Sequence, residues 1–286
     1  MSGFARRIAQ ELVFGVWRGV DRLPVRLATA RLFTGAQLRV VLPELIACDL
    51  WLDGRIEHEL TRLVSRSLRS GMTFVDAGAH YGYYSVVAAD AVGPYGHVYA
   101  FEPNPTTYDL LRGNVARFMQ VRCERAALHS RSGEMTLRDF GPRHSSLATL
   151  LEEARVPARE RRALRPTDVR IRTLTLDDYM AKERRRVHVL KIDAEGSELE
   201  ILRGAERVLA EDRPLVTLET GDYDVPGCSP SADGIDFLEQ RGYRALDLDG
   251  GRLVPHRRRR RYGYGNLVFS ADAAAPSAAW REERVA

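Results

Sequence analysis

The apolar and polar positions of the chain fall into two periods, one helical and one alternating. Between residues 4 and 23, Phe4, Ile8, Leu12, Val13, Val16, Trp17, Val20 and Leu23 recur at helical spacing, with Arg6, Arg7, Arg18 and Arg22 elsewhere on the surface. This predicts an amphipathic helix ended by Pro24, packed on the domain or on a second subunit, with a place on a membrane face as the alternative. Val40 to Leu52 reads as strands of an N-terminal cap. Ile56, Leu60, Leu63, Val64 and Leu68 then mark a helix that stops at Ser70-Gly71. Glu57 and Glu59 in its first turn read as dipole partners or solvated groups, with a cofactor contact as the less favoured alternative.

From Thr73 the pattern alternates strand and helix, the signature of a parallel sheet. Buried-strand patterns cover Thr73 to Asp76, Val98 to Glu102, Val121 to Glu124, Val187 to Asp193 and Pro214 to Glu219. The first helix of the sheet ends at Gly93-Pro94; others follow Pro105 and Ser197 and span Ala232 to Arg241. Strand-like Ala245 to Leu248 and Asn266 to Phe269 close the unit. Residues 131 to 175 interrupt the alternation. Glu134 to Phe140 and Val169 to Leu174 alternate like antiparallel strands, around an Arg-rich helical piece from Leu147 to Arg165. An insertion of this size serves as a lid or substrate wall. The expected organisation is a helix and cap over residues 1–45, one α/β domain over 46–270, and a disordered tail over 271–286.

At 286 residues, 44% hydrophobic and 29% charged, the chain has the composition of a soluble globular protein with one full-sized core. No apolar run approaches the roughly twenty residues that cross a bilayer. Cys48, Cys123 and Cys228 are far apart and form no C-x-x-C pattern, which points to a reducing compartment and places the protein in the cytoplasm. The net charge of +4 is modest, and the basic positions are Arg apart from Lys182 and Lys191.

Candidate chemistry gathers where strands run into glycine turns. Asp76-Ala77-Gly78-Ala79-His80-Tyr81-Gly82 lets the backbone approach a ligand closely and opens a helix whose free N–H groups suit an anionic group. The spacing differs from the G-x-G-x-x-G of dinucleotide folds. Glu102 follows Gly82 by twenty residues, the distance at which an acid holds ribose hydroxyls in βαβ nucleotide sites. Asp193 leaves the end of a second central strand. Ala194-Glu195-Gly196-Ser197 turns into a helix with Ser197 and Glu200 spaced as a capping box. His144, Ser145 and Ser146 open the insertion as candidate substrate contacts, and Glu124 to Ala126 flank the third strand as candidate adenine contacts.

The stretches Phe74 to Ser85, Ala100 to Asn104, Thr175 to Tyr179, Leu190 to Ala205 and Gly265 to Phe269 resemble the FkbM family of methyltransferases. The resemblance covers roughly residues 46 to 270 and implies a seven-stranded, mostly parallel Rossmann-like α/β sheet. It also implies S-adenosylmethionine (SAM) as cofactor and O-methylation of a hydroxyl on a sugar, polyketide or related metabolite. On this chain the cofactor contacts become Asp76, Gly78, Ala79, His80, Gly82, Tyr84, Glu102, Asn104, Ala126 and Asp193. His80 stands where the family usually has Asn; its ring still donates to the methionine carboxylate, and its titration then enters the pH profile.

A hydroxyl needs a general base, for which Asp193 is the first candidate, with Glu195, Glu219 and His144 as rivals. Asp193 and Glu219 together suit a Mg²⁺ ion, but Thr220 stands where metal-dependent relatives often carry a further acid or Asn, so no metal is expected. An alternative function is RNA methylation through Arg257 to Arg261; the three acids near the site oppose it by repelling phosphates. The expected partners are a small-molecule or glycoside acceptor and, through the N-terminal helix, a second copy in a homodimer, with no nucleic acid.

Overall fold

The computed structural model describes residues 24–156 and 164–272. Strands β1 (Arg26–Arg31) and β2 (Gln37–Leu42) form an antiparallel hairpin, followed by helices α1 (Leu45–Asp53) and α2 (His58–Ser67). Then come β3 (Thr73–Ala77), α3 (Tyr83–Val92), β4 (His97–Phe101), α4 (Pro105–Val115) and β5 (Val121–Glu124). Short β6 (Ala127–Leu128) leads into β7 (Gly133–Asp139) and β8 (Thr167–Leu174), a separate three-stranded sheet ordered β6-β8-β7. After α5 (Leu176–Glu183) the chain forms β9 (Val189–Ile192), α6 (Glu198–Arg203), α7 (Glu206–Glu211) and β10 (Leu215–Thr220). Helix α8 (Ser231–Glu239), β11 (Arg244–Asp249), β12 (Arg252–Pro255) and β13 (Gly265–Ser270) complete it.

The main sheet is ordered β12-β11-β13-β10-β9-β3-β4-β5. Strands β5, β4, β3, β9 and β10 are parallel, and β13 runs antiparallel between β10 and β11. Strand order reverses between β3 and β9, so the carboxyl ends of these two flank the crevice where open α/β sheets bind ligands. Seven strands are those the sequence implies. The eighth, β12, returns from β11 through Gly250 and Gly251, whose φ of 56° and 75° give the left-handed pair that a tight hairpin turn requires.

Every residue of β3 is buried, which fits a central strand covered on both faces. One face packs under the hairpin and α1 to α4, with Leu38, Leu50, Leu63, Val86 and Leu111 in contact as one apolar cluster. The other packs under α5 to α8 through Leu176, Ile201, Val208 and Ile235. The hairpin and α1 therefore share the core of the sheet.

Three local expectations are corrected. Residues 45–53 form a helix, not strands. Glu44 stands at its N-cap, accepting the Ala47 N–H at 2.8 Å, and the run Leu45-Ile46-Ala47-Cys48 is too uniformly apolar to betray a period. The piece from Leu147 onward is a 3-10 turn (Ser145–Leu147) and then bends as far as Val156, held by an antiparallel bridge of Thr149 to Arg138. Residues 157–163 of that piece lie outside the described residues, as do the 4–23 helix and the tail beyond 272. Ser197 makes no side-chain cap bond; Glu198 accepts the Ala194 and Gly196 N–H groups, both at 3.1 Å, while Glu200 is engaged by Ser130 and Arg203. No described helix is long and apolar enough to cross a membrane.

Candidate active site

The rim of the sheet is built around one close contact. Gly78 has φ 80°, and a Cβ placed on it would lie 1.8 Å from the Asp193 carbonyl oxygen. Only glycine lets the β3–α3 loop touch the β9–α6 turn. Gly82, at φ 89°, starts α3 against Leu111. Glu102, at the end of β4, accepts the His80 N–H through Oε2 and the Asn104 N–H through Oε1, each at 2.9 Å. Burial pushes its carboxyl up to about 7 in spite of those two bonds.

A cavity of about 270 Å³ opens above this rim. Phe101, Glu102, Pro103, Ala127 and Leu128 line it on the β4–β5 side. Gly78, Ala79, His80, Lys191, Asp193 and Glu195 form its middle, and Ile46, Asp49, Leu50, Ile56, Glu57 and Tyr264 its other wall. The insertion supplies Ser145, Ser146, Ala148, Thr149 and Leu150. That segment is tied to the rest of the cavity wall. Ser145 Oγ bonds His80 Nε2 at 2.9 Å, Ser146 donates to Glu44 at 2.8 Å, and Thr149 donates to the Glu195 carbonyl at 2.6 Å.

Beneath the cavity lies a chain of charges. Lys191, 2% exposed, stands 3.1 Å from Asp193 and 3.5 Å from the wholly buried Asp76, with its ammonium 5.0 Å from the centre of the Tyr84 ring. Asp76 also accepts the Ser85 hydroxyl at 2.7 Å. Burial lowers the Lys191 proton affinity, but the flanking Asp193 and Asp76 charges outweigh it and raise the ammonium's pKa. Glu57 accepts Tyr84 Oη–H at 2.8 Å and Asn266 Nδ2–H at 2.5 Å. Burial and the Asp193 charge raise its proton affinity.

A second cluster joins Asp193, Glu195 and Glu219, whose nearest oxygens lie within 4.8 Å of one another. Those three could hold a hard cation by donor type. Arg155 already serves Glu219 at 2.5 Å, and it also donates to Glu198 at 3.2 Å and to the Gly221 carbonyl at 3.1 Å. Burial pushes the Glu195 carboxyl up to about 8, against the opposing Arg155 charge.

Of the residues singled out in the sequence, Gly78, Ala79, His80, Tyr84, Glu102, Asp193 and Glu195 line the cavity. Asp76, Gly82 and Asn104 stand behind the lining: Asp76 anchors Lys191, and Asn104 caps α4 by accepting the Thr106 and Thr107 N–H groups. Ala126 is buried outside the lining, and the next two residues, Ala127 and Leu128, take the place expected of it. Glu219 is turned to Arg155. His144 does not line the cavity, although Ser145 and Ser146 do. Burial lowers His80 to about 3, so it stays neutral and adds no step to the pH profile; its Nε2 faces Ser145.

Glu57 is neither solvated nor a dipole partner, because it faces the cavity from a left-handed backbone position, φ 41°. The sequence reading missed Lys191, Asp49, Tyr264 and Arg155. The one signal available for Lys191 was its rarity, an ammonium inside an apolar strand two residues before Asp193. Arg258 pairs with Asp236 and Glu239, Arg259 with Asp247 and Arg261 with Asp224, so these three are bound to the chain's own acids.

A parallel sheet reversing at β3 and β9, a glycine rim and an acid ending the second strand are features of the class I Rossmann-like methyltransferase architecture. The chain belongs to the FkbM methyltransferase family: the methyltransferase FkbM domain matches residues 76–245. It is 30% identical over 200 residues to methyltransferase sdnD of Sordaria araneosa, a stretch covering 62% of this chain and 75% of that protein. Over 50 residues it is 42% identical to a protein-L-isoaspartate O-methyltransferase of Methanothrix thermoacetophila, covering 18% of this chain and 24% of that one. Among solved structures it is similar to methyltransferase FkbM from Methylobacillus flagellatus KT, with a TM-score of 0.45 and 16% identity. That match covers 71% of this chain but 44% of the Methylobacillus protein, less than half its length.

Proposed function

We propose that this methyltransferase uses SAM to methylate a hydroxyl of a sugar, polyketide or related metabolite. The observation that carries the reading is the placement of Glu102, Gly78 and Asp193 on one cavity, with Gly78 and the Asp193 carbonyl in contact. The residues present suit the cofactor. Each Glu102 oxygen accepts one backbone N–H and keeps a lone pair for a ribose hydroxyl, while Phe101, Pro103, Ala127 and Leu128 offer an apolar slot for a base. Bound there, SAM supplies a methyl group already activated by its sulfonium charge.

The chain's own residues then have separable tasks. Glu102 binds and orients, and the apolar lining with the Ser145 to Leu150 segment excludes water. Asp193 takes the proton of the acceptor hydroxyl. Its side chain is 25% exposed toward the cavity and held by Lys191, which fixes its direction. Burial raises the proton affinity of Glu195; Glu219 is held by Arg155; His80 is neutral and bonded to Ser145. Arg155 provides the counter-charge that a cation would otherwise bring to Glu219, so the reading is metal-free. Three of the five arginines behind the RNA alternative, Arg258, Arg259 and Arg261, are paired with the chain's own acids, which favours the small-molecule reading.

The test is calorimetric binding of SAM together with labelled methyl transfer to a panel of glycosides, polyketides and RNA. Asp193→Ala is expected to bind SAM within about threefold of the parent and to lose transfer by 10²-fold or more, on the order of a removed general base. Undiminished turnover in that variant refutes the role of Asp193, and a folded parent that ignores SAM refutes the function.

A further inference from the structure

We infer that Tyr264 is the platform on which the acceptor lies, and that the acceptor is a pyranoside whose ring face packs on the tyrosine ring. This rests on the methyltransferase reading above and narrows its substrate class to a glycoside. Tyr81, Tyr83, Tyr84 and Tyr264 all line the cavity. The first three are buried, and their hydroxyls are engaged by Ser145 at 3.0 Å, Thr61 at 3.0 Å and Glu57 at 2.8 Å. Tyr264 differs on both counts. It is 53% exposed, and its hydroxyl has no hydrogen-bond partner among the described residues.

The backbone that carries this ring is tied down on both sides. Tyr262 donates its N–H to the Asp222 carboxylate at 2.8 Å, its carbonyl accepts the Asp222 N–H at 2.9 Å, and its hydroxyl meets His256 at 2.9 Å. The Thr220 hydroxyl, buried at the end of β10, is shared between the Gly263 carbonyl at 3.4 Å and the Gly265 carbonyl at 3.1 Å. Asn266 donates to Glu57 at 2.5 Å. A ring left half in water contributes little to the core, so these ties are not explained by its burial. They suit a ligand contact, because a preset tyrosine ring offers broad amphipathic area at small entropic cost. The cavity runs from the Phe101 to Pro103 slot through Asp193 to Tyr264, the order in which base, proton acceptor and substrate must stand. Crowding by the protein, then the charges of Glu57, Asp193, Glu219 and Glu195, raise the Tyr264 phenol well above the ordinary tyrosine value, so its free hydroxyl is a donor at neutral pH. A pyranoside matches both properties: a C–H face covers the ring, and its hydroxyls reach the phenol and the water at the open side. An open-chain alcohol has no such face and loses more rotational freedom on binding.

The test uses the full chain saturated with S-adenosylhomocysteine, the methyl pyranosides of glucose, galactose and rhamnose as probes, and sorbitol as the open-chain alcohol. Saturation-transfer NMR reads affinity and the C–H groups that touch protein, and labelled SAM reads transfer. At least one pyranoside is expected to bind about tenfold or more tighter than sorbitol, with saturation strongest on one ring face. In Tyr264→Ala that preference should fall to about threefold or less, with the loss of transfer in KM rather than kcat, while Tyr264→Phe keeps it. Both variants should bind S-adenosylhomocysteine within about threefold of the parent. Equal affinity for pyranosides and sorbitol, no binding of any pyranoside by protein that does bind S-adenosylhomocysteine, or an unchanged preference in Tyr264→Ala overturns the proposal. So does loss of S-adenosylhomocysteine binding in Tyr264→Ala, which would place the ring in the donor half. Failure of the parent to bind S-adenosylhomocysteine overturns instead the function on which the proposal rests.

Discussion

Replacing Glu102 by alanine removes the group on which the cofactor half of the cavity turns. The carboxylate accepts the His80 and Asn104 N–H groups at 2.9 Å each, and on the proposed reading its remaining lone pairs serve two ribose hydroxyls. Hydrogen bonds to a charged group contribute about 1.5–3 kcal/mol each, so losing two to the ribose weakens binding by at least about 3 kcal/mol, or on the order of 10²-fold. The fold should lose less, because the variant no longer buries a carboxyl whose proton affinity is raised to about 7. Calorimetric titration with S-adenosylhomocysteine at pH 8, with circular dichroism melts in parallel, measures both quantities. The sign with pH follows from the raised value: the parent carboxyl is ionised above about 7 and binds best there, then weakens as pH falls through about 7. The alanine variant should lack that decline. A variant that melts normally and binds within threefold of the parent at pH 8 would show that Glu102 does not hold the ribose.

Further outcomes follow from the same geometry. Lys191→Met leaves Asp76 and Asp193 without their shared cation, and urea denaturation should show a loss of about 3–5 kcal/mol. In Gly78→Ala the new methyl meets backbone at 1.8 Å with φ 80°, which no rotamer relieves; a stability loss of at least about 2 kcal/mol and loss of cofactor binding are expected by melting and calorimetry. Glu44, 1% exposed, is raised by burial from 4.5 to about 7. The folded state therefore holds the extra proton between those values, and its stability contribution is present below 4.5 and lost as pH rises through about 7. Glu44→Gln should accordingly stabilise by up to about 3 kcal/mol at pH 8 and by little at pH 4.5; a gain confined to acid pH would contradict this.

The rim was legible because its residues answer to local rules. Gly78, Gly82, Glu102 and Asp193 each end a strand or start a helix, and those positions show in the alternation of a single chain. The opposite wall was not legible. Leu45 to Leu52 is apolar with little periodicity, so a helix inserting Ile46, Asp49 and Leu50 read as strands. Glu57 and Asn266 meet across 209 positions of sequence, a pairing that no local period announces. Arg155 lay hidden in an Arg-rich segment, where nothing in the residue pattern sets one guanidinium apart from the next. Asp76 was singled out from its place before the glycines, and the structure sets it behind the lining, 3.5 Å from Lys191.

The two walls of the cavity come from separate stretches of chain. Residues 101–103 and 127–128 border one side, and residues 46–57 with Tyr264 border the other. The second wall also buries Ala47 and Leu50 in the core of the sheet and holds Tyr84 and Asn266 through Glu57, so transplanting that helix and turn onto a related sheet requires carrying those packing partners with it.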